Sequence, residues 1–338
     1  MKKLSLLDKI LYIINSLMAV LLLFSYLLPY VSPKTIPLFA ILSLFVPILL
    51  IINITFFIYW LIKLKKQLLT SLLILIIGWF LVTPFYKLSE RKSASNNDLK
   101  IMSYNVRMFN HWKWKEEKEI HKSIISFINE SNPDILTIQE NMSLPEYILD
   151  FPYKFLKKRY PKGKHGTAIY SKFPIVNEGF LELEKTGNQI IFADIVRKKD
   201  TIRIYNLHLQ SLSIKPDKAN FGQENSEKLV KNLKDRFKQQ AEQTEIFLNH
   251  EKQWKGKKIV CGDFNNTAYS WVYKQISENK KDAFIEAGKG FGKTFDYFFP
   301  MRIDFILTNK NSNINQFKTY LEKFSDHYPI TARINWED

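Results

Sequence analysis

Ile259-Val260-Cys261-Gly262-Asp263-Phe264-Asn265 decides how this chain is read. An apolar, strand-like run meets a glycine, and Asp263 and Asn265 follow two residues apart. On an extended segment that spacing sends both side chains to one face. A plain turn after a strand also uses Gly, Asp and Asn, so the stretch takes its meaning from its company. Five further polar clusters close apolar runs after residue 98: Ser103-Tyr104-Asn105, Thr137-Ile138-Gln139-Glu140, Asn206-Leu207-His208, Arg302-Ile303-Asp304 and Ser325-Asp326-His327. Carboxylates and amides at strand ends can hold a divalent cation, activate water and meet the charge that builds on a phosphate.

Each group also has a plainer reading. Glu140 alone would be a surface residue capping a strand, and Asn105 alone a turn residue. Asp304 and His327 suit a pair in which a buried carboxylate fixes the imidazole tautomer and raises its pKa. A purely structural Asp–His hydrogen bond uses the same residues. His208 has apolar neighbours on both sides, as a satisfied core histidine would. His111, His121, His165 and His250 stand in basic or polar contexts and read as surface residues. Arg107, Trp112, Trp114, Tyr269 and Trp271 fall near these clusters; they suit base stacking or a lipid interface, or simple packing.

From about Leu99 to Ile334 these segments resemble the endonuclease/exonuclease/phosphatase superfamily, most specifically in Gly262-Asp263-Phe264-Asn265 and Ser325-Asp326-His327. The resemblance implies a four-layer α/β sandwich, two stacked mixed sheets flanked by helices. It implies Mg2+, with Mn2+ as a substitute, held by Glu140 and Asn105, with Asp326 contacting the ion directly or through water. Asp263 then orients or deprotonates the attacking water, Gly262 lets the backbone approach the phosphate, and Asn265 hydrogen-bonds the phosphate oxygens. His208 matches a second acid or phosphate ligand, and Asp304 with His327 the general-catalysis pair.

The first ninety residues differ from the rest. Residues 10–33, 35–62 and 67–86 contain no charged residue. Each run is long enough to cross a hydrocarbon core of about 30 Å at roughly 1.5 Å per residue. Three transmembrane helices are expected, with a cleaved signal peptide as the alternative for the first run. Lys2, Lys3, Lys9, Lys63, Lys65 and Lys66 flank one side and Lys34 alone the other, so the positive-inside rule puts the N-terminus in the cytoplasm. Lys87, Arg91 and Lys92 argue mildly the other way. The expected organisation is a membrane domain (1–88), a polar linker (89–98) and a catalytic domain (99–338). This makes an inner-membrane, multi-pass protein whose catalytic domain is extracytoplasmic.

The chain carries a formal charge of +16; residues 1–95 hold ten Lys/Arg and two Asp/Glu, or +8, leaving +8 for the catalytic part. That balance suits a polyanion or an anionic membrane surface. The lone Cys261 excludes an intramolecular disulfide framework and a Cys-rich zinc site. The expected substrate is nucleic acid, with a phospholipid or sphingomyelin second and a non-catalytic binding module third; no protein partner is expected. Strands are expected at 99–106, 135–138, 166–170, 189–196, 201–207, 258–261, 303–307 and 330–334. Helices are expected at 117–130 and from about Ser226 to His250, after a loop beginning at Phe221.

Overall fold

The computed structural model describes residues 4–91, 93–117, 119–212 and 226–336. Lys2, Lys3, Lys92, Lys118 and the loop expected from Phe221 lie outside the described residues. Four apolar helices come first: α1 (Leu6–Ser25), α2 (Pro37–Ser43), α3 (Val46–Ile62) and α4 (Leu68–Leu81).

The expectation of three unbroken spanning helices is corrected here. One helical stretch, Leu6–Tyr30, is long and apolar enough to cross a membrane, and could be an anchor or a signal sequence. The second run is broken into α2 and α3, which meet at 51°. Pro47 is the second residue of α3 and has no N–H to give to α2, so one continuous helix is not available. The third run yields 14 residues, about 21 Å at the α-helical rise; the chain turns extended at Val82, and Pro84 disfavours helix at Thr83.

The helices carry their polar groups inward. The Asn15 amide donates to Ser71 Oγ at 3.0 Å, and its oxygen accepts from Trp60 Nε1 at 2.9 Å. Leu17, Leu21, Phe24, Ile58, Leu73, Trp79 and Phe80 face outward.

Twelve strands follow among the described residues: β1 (Leu99–Asn105), β2 (Ile135–Met142), β3 (Tyr153–Lys158), β4 (His165–Ser171), β5 (Ile175–Leu181), β6 (Gln189–Arg197), β7 (Asp200–His208), β8 (Lys257–Asp263), β9 (Lys280–Asp282), β10 (Asp304–Asn309), β11 (Asn313–Thr319) and β12 (Ile330–Asn335). They form two six-stranded sheets, ordered β11-β12-β1-β2-β4-β3 and β5-β6-β7-β8-β10-β9. Each has one parallel pair at its centre, β1 with β2 and β7 with β8.

Alternation along the strands makes the layers. Ile101, Ile135, Ile204, Ile259 and Ile306 face the other sheet in the central core. Met102, Tyr104, Leu136 and Ile138 face outward onto Ile120, Ile124 and Ile128 of α5 (Ile120–Ser131). On the far side Tyr205, Val260 and Phe305 cover Phe247 of α6 (Ser226–Glu251) and Val272 and Ile276 of α7 (Trp271–Ser277). The result is two mixed sheets flanked by helices.

The segment read as a linker (89–98), together with Lys87 just before it, lies along the domain that follows. Lys87 pairs with Gly290 as a β-bridge, the Arg91 N–H donates to Ala287 O, and Asn315 Nδ2 donates to the Asp98 carboxylate at 3.1 Å. Helix α2 rests Ala40 and Leu44 on Leu212, Leu233 and Phe237. Tyr269 packs among Ala19, Leu22 and Tyr26.

Candidate active site

The two parallel pairs set the site, because parallel strands deliver their C-terminal ends to the same edge. Asn105 at the end of β1 is in register with Gln139 of β2, and His208 at the end of β7 is in register with Asp263 of β8. Asp304, the first residue of antiparallel β10, faces Asp263.

Local breaks aim the side chains. The β2–β4 ladder shifts between Ile138 and Asn141, and Glu140 sits in that bulge at φ 51°. Such a bulge re-aims a side chain that regular alternation would bury in the sheet. Gly262 has φ 131°, and a Cβ there would lie 2.0 Å from the Leu207 carbonyl oxygen. The glycine therefore lets β8 approach β7.

The eight residues singled out in the sequence gather in one cluster, of which Glu140 and His208 line a cleft. Asn105 Nδ2 donates to Asp263 Oδ2 at 3.0 Å and reaches Glu140 Oε1 at 3.4 Å. The Asn265 N–H donates to Asp263 Oδ1 at 2.7 Å, and its side chain to Leu209 O at 3.0 Å. His208 Nε2 stands 3.9 Å from Glu140 and 3.8 Å from Asp263. His327 Nδ1 contacts Asp304 Oδ2 at 3.0 Å, while its Nε2 points at Asp263 Oδ2, 3.7 Å away. Thr294 Oγ1 accepts from the Asp304 N–H at 3.0 Å. Asp326 is paired with Arg107 Nη1 at 2.8 Å, and Arg107 lies over the Trp114 ring at 4.3 Å.

Burial and charge divide the two histidines. Burial pushes His208 down, helped by the positive charges of His327 and Arg159, to about 3, so it is neutral at pH 7. Burial would also depress His327, but the Asp304 and Asp263 carboxylates overcome it and hold the ring up at about 10. Burial raises Asp263 and Glu140; the Asp304 charge adds to the first and the Asp326 charge to the second.

Two places could take a metal. Asp263, Asp304 and His327 each offer a donor atom within 4.8 Å of the others. In that trio, however, a cationic imidazole already balances the carboxylates, and its Nδ1 is committed to Asp304. Glu140 and Asp326 instead offer carboxylate oxygens whose mutual repulsion Arg107 only partly relieves. An all-oxygen set of this kind fits a hard divalent cation. Asn105 turns its NH2 toward Glu140 and Asp263, while its Oδ1 accepts the Arg107 N–H at 3.1 Å. In this arrangement it orients the two carboxylates.

Other residues fall elsewhere. Tyr269 and Trp271 pack in cores, and Trp112 is exposed. His111 meets the Tyr147 hydroxyl, His121 the Tyr147 ring, and His250 the Tyr205 hydroxyl. His165 lines the cleft with Arg159 and Arg236, which sequence reasoning missed. It missed the bridge between sheets as well. Gln139 Nε2 donates to Asn206 Oδ1 at 2.6 Å, directly beneath Glu140. Buried amides at strand ends were the available signal for that bridge; nothing local marked Arg159.

Oxygen donors on one wall and a cationic imidazole on the other place the site among the phosphoester hydrolases. Over residues 102–327 the sequence matches the Endonuclease/Exonuclease/phosphatase family, and the chain belongs to it. Members of this family are metal-dependent hydrolases of phosphoester bonds. Residues 8–85 match a domain of unknown function (DUF8431). No curated protein matches the chain.

Among solved structures, the fold is similar to a mannosyl-6-phosphatase of Bacteroides thetaiotaomicron VPI-5482 (TM-score 0.53, 18% identity, covering 70% of this chain and 100% of that one). It is also similar to a family member from Bacteroides vulgatus (0.53, 17%, 72% and 100%). A third likeness is to the human Nocturnin catalytic domain with bound sulfate (0.51, 19%, 75% and 99%). At these identities the likeness shows the fold alone.

Proposed function

We propose that the chain is a membrane-anchored, magnesium-dependent phosphodiesterase acting on nucleic acid. The observation that carries this is the convergence of Glu140, Asn105, Asp263, His208 and the Asp304–His327 pair from the two sheets, with Glu140 and His208 lining a cleft of about 380 Å3. Glu140, with Asp326, would hold a divalent cation, which when bound would supply Lewis-acid charge. Asn105 fixes Glu140 and Asp263 relative to each other. Asp263, made more basic by burial, orients water and takes its proton. Cationic His327 donates Nε2–H toward the charge that builds on the phosphoryl oxygens, and Asp304 holds its tautomer. Neutral His208 donates one N–H, and Asn265 secures the loop beside Asp263.

The membrane reading rests on the outward apolar faces and inward polar groups of α1, α3 and α4. The multi-pass arrangement is part of the proposal. Lys9, Lys63, Lys65 and Lys66 gather at one end of these helices, while Tyr26 and Val82 at the other adjoin Tyr269 of the catalytic domain. The positive-inside rule then puts the catalytic domain outside the cytoplasm, in an inner membrane. A reporter fused after Asp338 that works only in the cytoplasm would reverse this.

A phospholipid substrate is the second reading. It is favoured by the seat of α2 on Leu212, close to the His208–Gln210 cleft wall. The test is hydrolysis of DNA, RNA and phospholipid vesicles by the full chain in detergent with MgCl2, beside Glu140→Gln. Nucleic-acid cleavage lost in the variant is expected. Activity on vesicles alone selects the second reading, and no metal-dependent activity on any of the three leaves a binding module.

A further inference from the structure

The cleft that opens on Glu140 and His208 is walled by groups the proposed hydrolysis does not use. Arg159, just past β3, and Arg236, on α6, both line it, with His165. Among the described residues neither guanidinium has a carboxylate partner. Arg159 lies flat against Gly187, so close that a Cβ on Gly187 would fall 1.7 Å from the guanidinium carbon. Arg236 Nη1 donates to Ser211 O at 2.5 Å.

The wall between them is pre-set. Thr186 Oγ1 donates to Gln210 Oε1 at 2.7 Å, Asn188 Nδ2 to Leu209 O at 2.8 Å, and Gln240 Nε2 to Gln210 O at 2.7 Å. Arg159 lines the same cleft as His208 and Glu140, so the cation stands near the site. Among the described residues lining this cleft Glu140 is the one acidic group, and a bound cation would neutralise it. A substrate with a single phosphate would leave that positive wall unmatched.

We propose that Arg159, seated on Gly187 and supported by Arg236, is a subsite for a second phosphoryl group on the same substrate. This deepens, and rests on, the nuclease reading, because a nucleic-acid backbone supplies a phosphate next to the scissile one. A guanidinium fork matches two phosphate oxygens at once.

The test uses the full chain in detergent with CaCl2 in place of MgCl2, so that a cation faces Glu140 while turnover is held back. Fluorescence anisotropy follows two labelled thymidine dinucleotides, one with a 5′-phosphate in addition to its internal phosphate and one without. Arg159→Gln should weaken the two-phosphate probe by about ten-fold or more, the usual worth of a charge-assisted contact. It should change the one-phosphate probe by less than about two-fold, and the salt slope for the first probe should fall by about 0.7. Gly187→Ala, which displaces the guanidinium without removing it, should reproduce part of the loss. Tight two-phosphate binding that neither variant alters would overturn the subsite alone. Failure of both dinucleotides to bind the wild-type chain would overturn the subsite and the nuclease reading together.

Discussion

His327 is held between two carboxylates: its Nδ1 lies 3.0 Å from Asp304 and its Nε2 3.7 Å from Asp263. One ring nitrogen is spent on orientation, and the other faces the place where water and phosphate must meet. Asp304→Asn and His327→Ala should each slow turnover by roughly 10²–10⁴-fold. Since the two act as a unit, the double variant should be little worse than the worse single one. Multiplying penalties in steady-state kinetics would mean that they act independently.

The same contact sets a pH dependence. His327 is raised from an ordinary value near 6.5 to about 10. Its folded-state pKa lies above the unfolded one, so its stabilising contribution is full below about 6.5 and is lost as pH rises through about 10. Activity that needs the imidazolium should fall over the upper part of that window. Chemical denaturation from pH 6 to 10.5 should show this slope in the wild type, and His327→Gln should flatten it. An equal slope in both would remove the ion pair from the account.

Glu140 is a carboxylate raised by burial and by the Asp326 charge. A cation there should stabilise the fold, by about 2.7 kcal/mol at a hundred times its Kd. Thermal unfolding should therefore shift upward with MgCl2 in the wild type and much less in Glu140→Gln. An identical shift in the two proteins would move the metal elsewhere, the Asp263–Asp304–His327 trio being the next candidate.

Arg302 Nη1 donates to Asp282 Oδ2 at 2.6 Å, and Tyr273 donates to the same oxygen at 2.7 Å. Both ionic side chains are buried. Arg302→Ala strands the Asp282 charge and should cost about 3–5 kcal/mol. Replacing Asp282 as well should recover part of that loss in a urea melt.

Cys261 lies between the sheets with no exposure, and burial pushes its thiol up to about 12. A maleimide should leave it unmodified in the native chain and label it in urea. Rapid native labelling would show that the sheets separate there.

Much of the site could be read directly, because its parts sit at strand ends. Apolar runs with Asn105, Glu140, His208 and Asp263 toward their ends, and one opening at Asp304, are local patterns, and two-residue alternation is a local property of a strand. The central strands, α5 and α6 were legible for the same reason. Edge strands β3, β5 and β11 were not, since half-exposed strands lose that contrast.

Tertiary structure alone decided the rest. Parallel register places His208 beside Asp263 across 55 residues of chain, and a bulge turns Glu140 into the cleft. Folding gives Asp326 to Arg107, seats Arg159 on Gly187, and uses Gly262 to bring β8 against β7. It also splits the second apolar run at Pro47, where composition still reads as continuous. Composition determines what must be buried. Which buried groups meet, and therefore which carry charge, depends on register and desolvation, and neither is a property of any short stretch of sequence.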